Sequence, residues 1–152
     1  MSKIAIKKLT ASDLTFFHWH FSNVDRGGNQ KAINLNADVF IKKLYPLLPR
    51  LLESSFTVNL HIYGPNAAPA DVLARKILKS ATYKNWRLNG EYVNNPHHMP
   101  ERYNVLKVDD YAVLAFDGDL TPEHLKIILI SASEKADTGI HEAISRFMTG
   151  GS

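Results

Sequence analysis

The stretch Phe56–Tyr63 constrains the fold of this chain most, because its apolar and polar side chains alternate strictly. A period of two places the apolar residues on one face of a β-strand. Shorter stretches at Tyr103–Lys107, Tyr111–Phe116 and Lys126–Ala132 predict further strands. The last two are apolar enough to be buried on both faces, as central strands are.

The rest of the chain adds short elements. Ile4, Ile6 and Leu9 alternate with lysines and predict a first strand with one wet face. Phe16–Phe21 is a strand or the buried base of a loop, and Asp71–Lys79 fits a strand or a helix. Two short helices are expected: one capped by Asn36 or Asp38 and ending near Tyr45, and one capped by Asp137 or Thr138 and ending at Met148. This pattern predicts a mainly β, α+β domain over 1–148, a barrel or sandwich, with 149–152 as a linker or artificial end.

Asn89-Gly90 lies between two short mixed stretches in the segment 84–95. Asn-Gly predicts a two-residue hairpin loop, because both residues tolerate the positive φ of a type I′ turn. In such a hairpin the facing pairs are Leu88 and Glu91, Arg87 and Tyr92, and Trp86 and Val93.

The two faces of this hairpin are expected to differ. Trp86 shares its face with apolar residues, so we expect it to pack onto the barrel rather than stack on a base. The other face offers groups that read base edges, since Arg binds guanine, Asn pairs with adenine, and Glu accepts from the amino group of cytosine. The candidate contacts here are Lys84, Arg87, Asn89, Glu91, Tyr92 and Asn94. The alternative is a solvated hairpin.

A second polar loop, Ser22–Lys31, contains two adjacent glycines. Glycine lets a backbone approach a phosphate or a base edge closely. The candidate contacts in this loop are Arg26, Gly28, Asn29, Gln30 and Lys31. Lysines such as Lys31, Lys79 and Lys84 are expected to hold phosphates rather than to read bases. A plain surface turn is the alternative.

Charge is distributed unevenly along the chain, whose net charge is +3. Residues 75–107 contain seven Lys/Arg and two Asp/Glu, whereas residues 108–152 contain three Lys/Arg and eight Asp/Glu. Such asymmetry indicates a polyanionic partner approached from one side, or else solvated faces. The chain has no cysteine, no apolar stretch of membrane-spanning length and no apolar core of a signal peptide, so we expect a soluble cytoplasmic protein without disulfides.

Several stretches, in their order and spacing, carry a family resemblance. They are KKLTASD (7–13), GGNQ (27–30), VFIKKLYP (39–46), Ala74-Arg75, YAVLAF (111–116), the stretch 126–132 and HEAI (141–144). From about Ile4 to Ile144 the chain resembles the N-terminal effector domain of EcoRII-type restriction endonucleases, which shares its fold with plant B-three domains. The resemblance implies a seven-stranded open pseudobarrel.

The resemblance also implies a mode of DNA binding, in which two arms enter the major groove from opposite sides. The N-arm corresponds to Ser22–Lys31, and the arginine that precedes the C-arm corresponds to Arg75. In the C-arm, Arg87, Asn89 and Glu91 match the family's Arg, Asn and Glu. Where the family continues with two basic residues, this chain has Tyr92 and Val93, which leaves its base readout open.

The implied protein is a non-catalytic effector domain of a bacterial type II (IIE) restriction endonuclease. It would bind double-stranded DNA at 5′-CCWGG as a monomer, and a nuclease domain would follow it in the full-length protein. No metal or cofactor is expected, because no acidic residue stands in the strand-borne acid-x-Lys pattern of restriction nucleases and no phosphate-binding glycine loop occurs.

Two other functions remain open. A small metal-dependent hydrolase would use His18, His20 and Asp117, although zinc requires three or four convergent ligands. A binder of RNA or single strands would stack bases on Trp86, Tyr83 and Tyr92.

Overall fold

A computed structural model describes residues 3–23, 32–48, 54–65, 69–80, 85–89 and 91–150. In these residues seven strands form one curled open sheet, so the predicted mainly β pseudobarrel with short helices is confirmed. The strands are β1 (Lys3–Lys8), β2 (Ile33–Leu35), β3 (Ser54–Tyr63), β4 (Asp71–Lys79), β5 (Trp86–Asn89), β6 (Tyr111–Asp117) and β7 (His124–Ile130). The helices are α1 (Ala11–Leu14), α2 (His18–Asn23), α3 (Ala37–Val39) and α4 (Thr138–Gly150).

The strand order across the sheet is β1-β6-β7-β3-β4-β5-β2. Only β3 and β7 run parallel, and every other neighbouring pair is antiparallel. The long β3–β4 pair settles the ambiguity of 71–79 in favour of a strand. The alternation predicted for β3 is confirmed, because Val58, Leu60 and Ile62 are fully buried.

The predicted Asn-Gly hairpin is wrong. Strand β5 pairs on one side with β4, where Leu88 faces Ile77, and on the other side with β2, where Leu88 faces Ile33. Both edges of β5 are therefore occupied, and no edge is left for residues 91–93. Instead, Val93 forms an isolated parallel bridge with Phe17.

The predicted strand at Tyr103–Lys107 is also wrong. Residues 97–105 form successive turns, with Arg102 NH donating to the Met99 carbonyl at 3.1 Å. Tyr103 is fully buried, and its backbone NH donates to the Asn95 side chain at 2.9 Å. The apolar residues of this segment anchor a loop to the core. Their spacing in the sequence resembles that of a strand, which explains the wrong prediction.

The aromatic stretch Phe16–Phe21, predicted as a strand or as the buried base of a loop, instead contains the start of helix α2 at His18. Phe16 and Phe17 are buried, with ring centroids 5.5 Å apart. His18 NH donates to the Val93 carbonyl at 2.9 Å, and this bond ties the start of α2 to the segment that follows β5.

Strand β1 lies at one edge of the sheet. Its composition suggests that the isoleucines face the core and the lysines face water, but the structure shows the opposite. Ile4 and Ile6 are 61% and 37% exposed, whereas Lys3 and Lys7 point to the partly buried side. Lys7 Nζ reaches the buried carboxylate of Asp13 at 3.3 Å, and Lys3 Nζ lies 4.1 Å from the centre of the Tyr45 ring. The lysines can face inward because Asp13 and the Tyr45 ring, which belong to other segments, stabilise their charges.

The predicted cap at Asn36 is confirmed, because its side chain accepts from Asp38 NH at 2.8 Å. The helix that follows is α3, and it continues as a π-helical turn through Phe40–Leu44. Phe40 packs against the rings of Trp86 and Phe116 in the core.

Helix α4 follows a 3₁₀ turn at Lys135–Asp137 and begins at Thr138, one of the two residues predicted to cap it, but it ends at Gly150 rather than at the predicted Met148. It contacts the sheet through Ile144, which packs against Tyr111 and Ile130. Tyr111 OH and Ser145 Oγ are 3.1 Å apart. Within the described ranges, no helix has the length and apolar content needed to cross a membrane.

His141 Nε2 of α4 is 3.1 Å from Oδ1 of the buried Asp110. The same carboxylate accepts from Lys107 NH at 2.8 Å and from Ala132 NH at 3.1 Å. Asp110 therefore joins three segments, the loop before β6, the turn after β7 and the first turn of α4.

Candidate nucleic-acid interface

Six of the thirteen predicted DNA contacts fall outside the described part of the chain. Arg26, Gly28, Asn29, Gln30, Lys31 and Lys84 lie outside the residues that the structure describes. The described candidates are Arg75, Lys79, Arg87, Asn89, Glu91, Tyr92 and Asn94, and most of them gather around β4 and β5.

An open groove runs beside the paired ends of β4 and β5. Lys76 on β4 lies directly opposite Asn89 on β5. Three of the predicted contacts, Arg75, Asn89 and Glu91, line this groove with Lys76. The sheet register thus assembles a cation, an amide and a carboxylate, although no hairpin exists.

Arg75 holds the chain that follows β5 in place. Its Nε donates to the Glu91 carbonyl at 2.9 Å, and Nη2 donates to the Tyr92 carbonyl at 3.0 Å. Nη1 donates to the Ala74 carbonyl at 2.8 Å. The planar guanidinium suits this role, because its donors point in fixed directions. Arg75 therefore positions the Glu91 segment in this structure.

The electrostatic surroundings of Arg75 keep it cationic. Burial lowers the pKa of its guanidinium, while the carboxylates of Glu91 and Asp71 raise it. An arginine starts from a pKa so high that it remains charged at neutral pH. The groove thus has a permanent positive charge next to the carboxylate of Glu91.

Arg87 and Asn89 lie two residues apart on β5 and share the partly exposed face, while Trp86 and Leu88 face the core. The predicted burial of Trp86 is confirmed, because it is 2% exposed. Arg87 is opposite Leu78 on β4, so the Arg87, Asn89 and Lys76 side chains share one face of the sheet.

The other described candidates lie at the margins of the groove. Lys79 ends β4, and its Nζ donates to the Ser80 carbonyl at 3.3 Å. The Tyr92 ring packs against His18 and Phe21, with centroids 5.3 Å and 4.5 Å away. Asn94 is exposed in the following segment.

The basic and acidic segments of the sequence also lie in different parts of the structure. The lysines of β1 meet acids of other segments: Lys7 pairs with Asp13 at 3.3 Å and Lys8 with Asp109 at 3.7 Å. By contrast, Lys76 is exposed and forms no ion pair with any described residue. Since β3 and β7 separate β4 from β6, the basic strands and the acidic turns lie in different parts of the sheet.

Sequence reasoning missed Lys76, although the signal was present. Once β4 is taken as a strand, side chains alternate, so Lys76 and Arg75 leave the strand on opposite faces, although both border the groove. Arg75 can therefore position the chain after β5, while Lys76 on the other face is available to a ligand. Thr57, which lies opposite Lys76 on β3, joins it in lining the groove.

The histidines of α2 do not converge. The buried His20 Nε2 lies 2.8 Å from the Tyr103 carbonyl, whereas His18 Nε2 lies 3.3 Å from Ser22 Oγ. Burial lowers the pKa of His20, and the bond to the Tyr103 carbonyl opposes this effect. In the part of the chain that the structure describes, no three His, Asp or Glu side chains form a group that could hold a metal ion.

Trp86 is too deeply buried to stack on a base of a single strand. Tyr83, the second aromatic residue of that alternative, lies outside the described residues. No family model, no curated protein and no solved structure matches this chain.

Proposed function

We propose that this chain binds double-stranded DNA sequence-specifically through the groove beside β4 and β5. The observation that supports this most is the register of the two strands, which sets Lys76 opposite Asn89 with Arg75 and Glu91 alongside. The lysine can bind a phosphate, the Asn89 amide can pair with the edge of adenine, and the Glu91 carboxylate can accept from the amino group of cytosine.

The parts of the groove have different roles in this proposal. Lys76 and Lys79 hold the phosphate backbone, and Arg87, Asn89 and Glu91 face base edges. Arg75 acts through Glu91 and Tyr92, because its hydrogen bonds fix the backbone that carries the reading side chain. The sheet face presents these groups, and the family resemblance implies that a second arm, the N-arm, binds the DNA from the opposite side.

The resemblance to the EcoRII-type effector domains gives this proposal its finer form. The target is 5′-CCWGG, and one copy straddles it with two non-identical arms. The chain is non-catalytic by itself and regulates a nuclease domain of a longer restriction enzyme in the bacterial cytoplasm. Asn94 and Tyr92 contribute at the rim of the site.

The test is a titration of labelled duplexes followed by fluorescence anisotropy. One duplex contains CCWGG, and a matched set changes one base pair at a time. Glu91→Gln should reduce discrimination at one position by ~1–3 kcal/mol, since it replaces an acceptor by an amide. Glu142→Gln, on helix α4, neutralises another exposed carboxylate away from the groove and should change nothing.

Arg75→Lys separates the positioning role from a direct contact. Lysine keeps the charge but cannot bond several carbonyls at fixed angles. We therefore expect discrimination to fall while the salt dependence of binding stays the same. Equal affinity of the wild type for all duplexes, or no binding at low salt, would refute the proposed function.

A further inference from the structure

The outer face of the sheet, opposite the core, continues the groove beyond β4. Directly paired residues of neighbouring strands share a face, so Asn89, Lys76 and Thr57 form one row across β5, β4 and β3. Thr57 is exposed, and the alternation of β3 sets Asn59 and His61 on the same face as Thr57. A line of polar side chains therefore leads from the groove along β3.

A second lysine stands at the end of this line. His61 pairs with Lys126 on the parallel strand β7, and Lys126 lies between His61 and Ala115 of β6. Lys126 is exposed, and it forms no ion pair with any residue that the structure describes. The small side chain of Ala115 leaves room around the lysine.

Two neighbouring rows of this face differ in charge. Asn59 Nδ2 and His124 Nδ1 are 3.4 Å apart, and Asp117 lies opposite His124 on β6. The row through Asn59 thus ends at an acid, whereas the row through His61 contains a lysine. A polyanion that leaves the groove along β3 is therefore attracted toward Lys126 rather than toward His124.

The separation of the two lysines suits the backbone of duplex DNA. Lys76 and Lys126 are two strands apart and offset by the four residues that separate Thr57 from His61. With ~4.8 Å between strands and ~3.3 Å per residue, their Cα atoms are roughly 16 Å apart along the sheet. The phosphates of one DNA strand recur every ~3.4 Å along the helix axis, so this distance covers about five base-pair steps. Base readout at Asn89 would thus leave Lys126 over the flanking backbone.

We propose that Lys126 binds a backbone phosphate of the same duplex, outside the base pairs that the groove reads, and that Thr57, Asn59 and His61 line the path between them. This inference rests on the proposed function and adds a second, sequence-independent part to the interface. Phosphate contacts fix the register and orientation of a protein on DNA but carry no sequence information directly. The flanking contact therefore contributes affinity, whereas base preference stays with the groove.

Salt titrations of Lys126→Ala on two duplexes test the inference. Both duplexes contain the same site, but one ends close to it and the other has a full helical turn on each flank. Loss of one phosphate contact lowers the log–log salt slope by ~0.9. We expect this loss on the long duplex only, with an unchanged preference for CCWGG over its single-base variants. Lys126→Arg keeps the charge and should retain the wild-type slope.

Lys43→Ala is the matched control. Lys43 is also exposed, but it lies on the π-helical turn whose Phe40 packs against Trp86 on the inner face of the sheet. This variant should keep the wild-type slope on both duplexes, and thermal melting checks that both alanine variants are folded.

Two results would overturn the inference and leave the proposed function standing. One is an equal slope for Lys126→Ala and Lys43→Ala, and the other is an equal loss for Lys126→Ala on both duplexes. A wild-type protein that binds no duplex would instead refute both proposals, so the two failures are distinguishable.

Discussion

Replacement of Asp13 by asparagine should destabilise the protein far more than loss of an ordinary surface carboxylate. Asp13 is 1% exposed, and it connects three elements near the open side of the pseudobarrel. Its Oδ2 accepts from Thr10 NH at 3.0 Å and lies 3.3 Å from Lys7 Nζ on β1. Its Oδ1 accepts from Asn34 NH on β2 at 3.1 Å. The two edge strands, which do not pair with each other, are thus joined through one side chain.

The size of the effect follows from these contacts. An asparagine oxygen at the Oδ2 position keeps two donors, but its amide nitrogen then faces the Asn34 NH. The bond to Asn34 is lost, which costs ~1.5–3 kcal/mol for a charged acceptor. The two remaining bonds weaken, because a neutral acceptor contributes about half as much. Release of a buried carboxylate offsets part of this, so the expected loss is about 2–4 kcal/mol.

Urea denaturation followed by tryptophan fluorescence measures this loss, because Trp86 is buried in the native state. Glu142→Gln is the matched control, since it neutralises a carboxylate paired with Arg146 at 3.6 Å on the surface. Exposed pairs contribute ~0–1 kcal/mol. If Asp13→Asn costs no more than Glu142→Gln, the carboxylate does not hold the two edge strands together.

Three further predictions concern other parts of the molecule. Burial lowers the pKa of His20, so the unfolded state binds its proton more readily, and the urea midpoint should fall as pH drops below about 6.5. His20→Gln should flatten this dependence, and an unchanged pH profile would show that His20 does not cause it. Lys76→Ala should reduce the log–log salt slope of DNA binding by ~0.9 without changing base preference, whereas an unchanged slope would remove Lys76 from the phosphate contacts. Gly118→Ala should cost more than ~2 kcal/mol, because its φ is 130° and a Cβ would overlap the Thr121 carbonyl oxygen. Gly139→Ala, with nothing within 4 Å of the new atom, should instead stabilise α4 by ~0.5–1 kcal/mol, and equal effects at both glycines would contradict this account.

The sequence by itself determined the elements whose signal is local. Strict alternation identified β3, and Asn36 capped a helix as expected. Dense apolar composition identified β6 and β7 as strands, but the expected burial of β7 on both faces is wrong, because Lys126 and Ile128 are exposed. The mainly β class followed from the number of such short strands. Trp86 was assigned to the core because its neighbours on the same face are apolar, and it is buried.

The sequence predicted three members of the candidate site, Arg75, Asn89 and Glu91, but it missed Lys76 and the arrangement of the four. The segment 71–79 fitted a strand or a helix, and only the strand would bring Arg75 near the segment after Asn89, where its guanidinium contacts the carbonyls of Glu91 and Tyr92. The hairpin expected from Asn89-Gly90 depended on a local turn. The hairpin does not form, because β5 lies between β4 and β2 and pairs with both, and these strands are distant in sequence.

Only the tertiary structure decided which side of a strand faces inward. Lys7 turns inward on β1 because Asp13, from another element, supplies an anion there, and this leaves Ile6 exposed. Composition records how many apolar side chains a strand has, but not which partner each side will meet. That partner comes from strands and loops distant in sequence, and its contribution is fixed only when the whole sheet has formed.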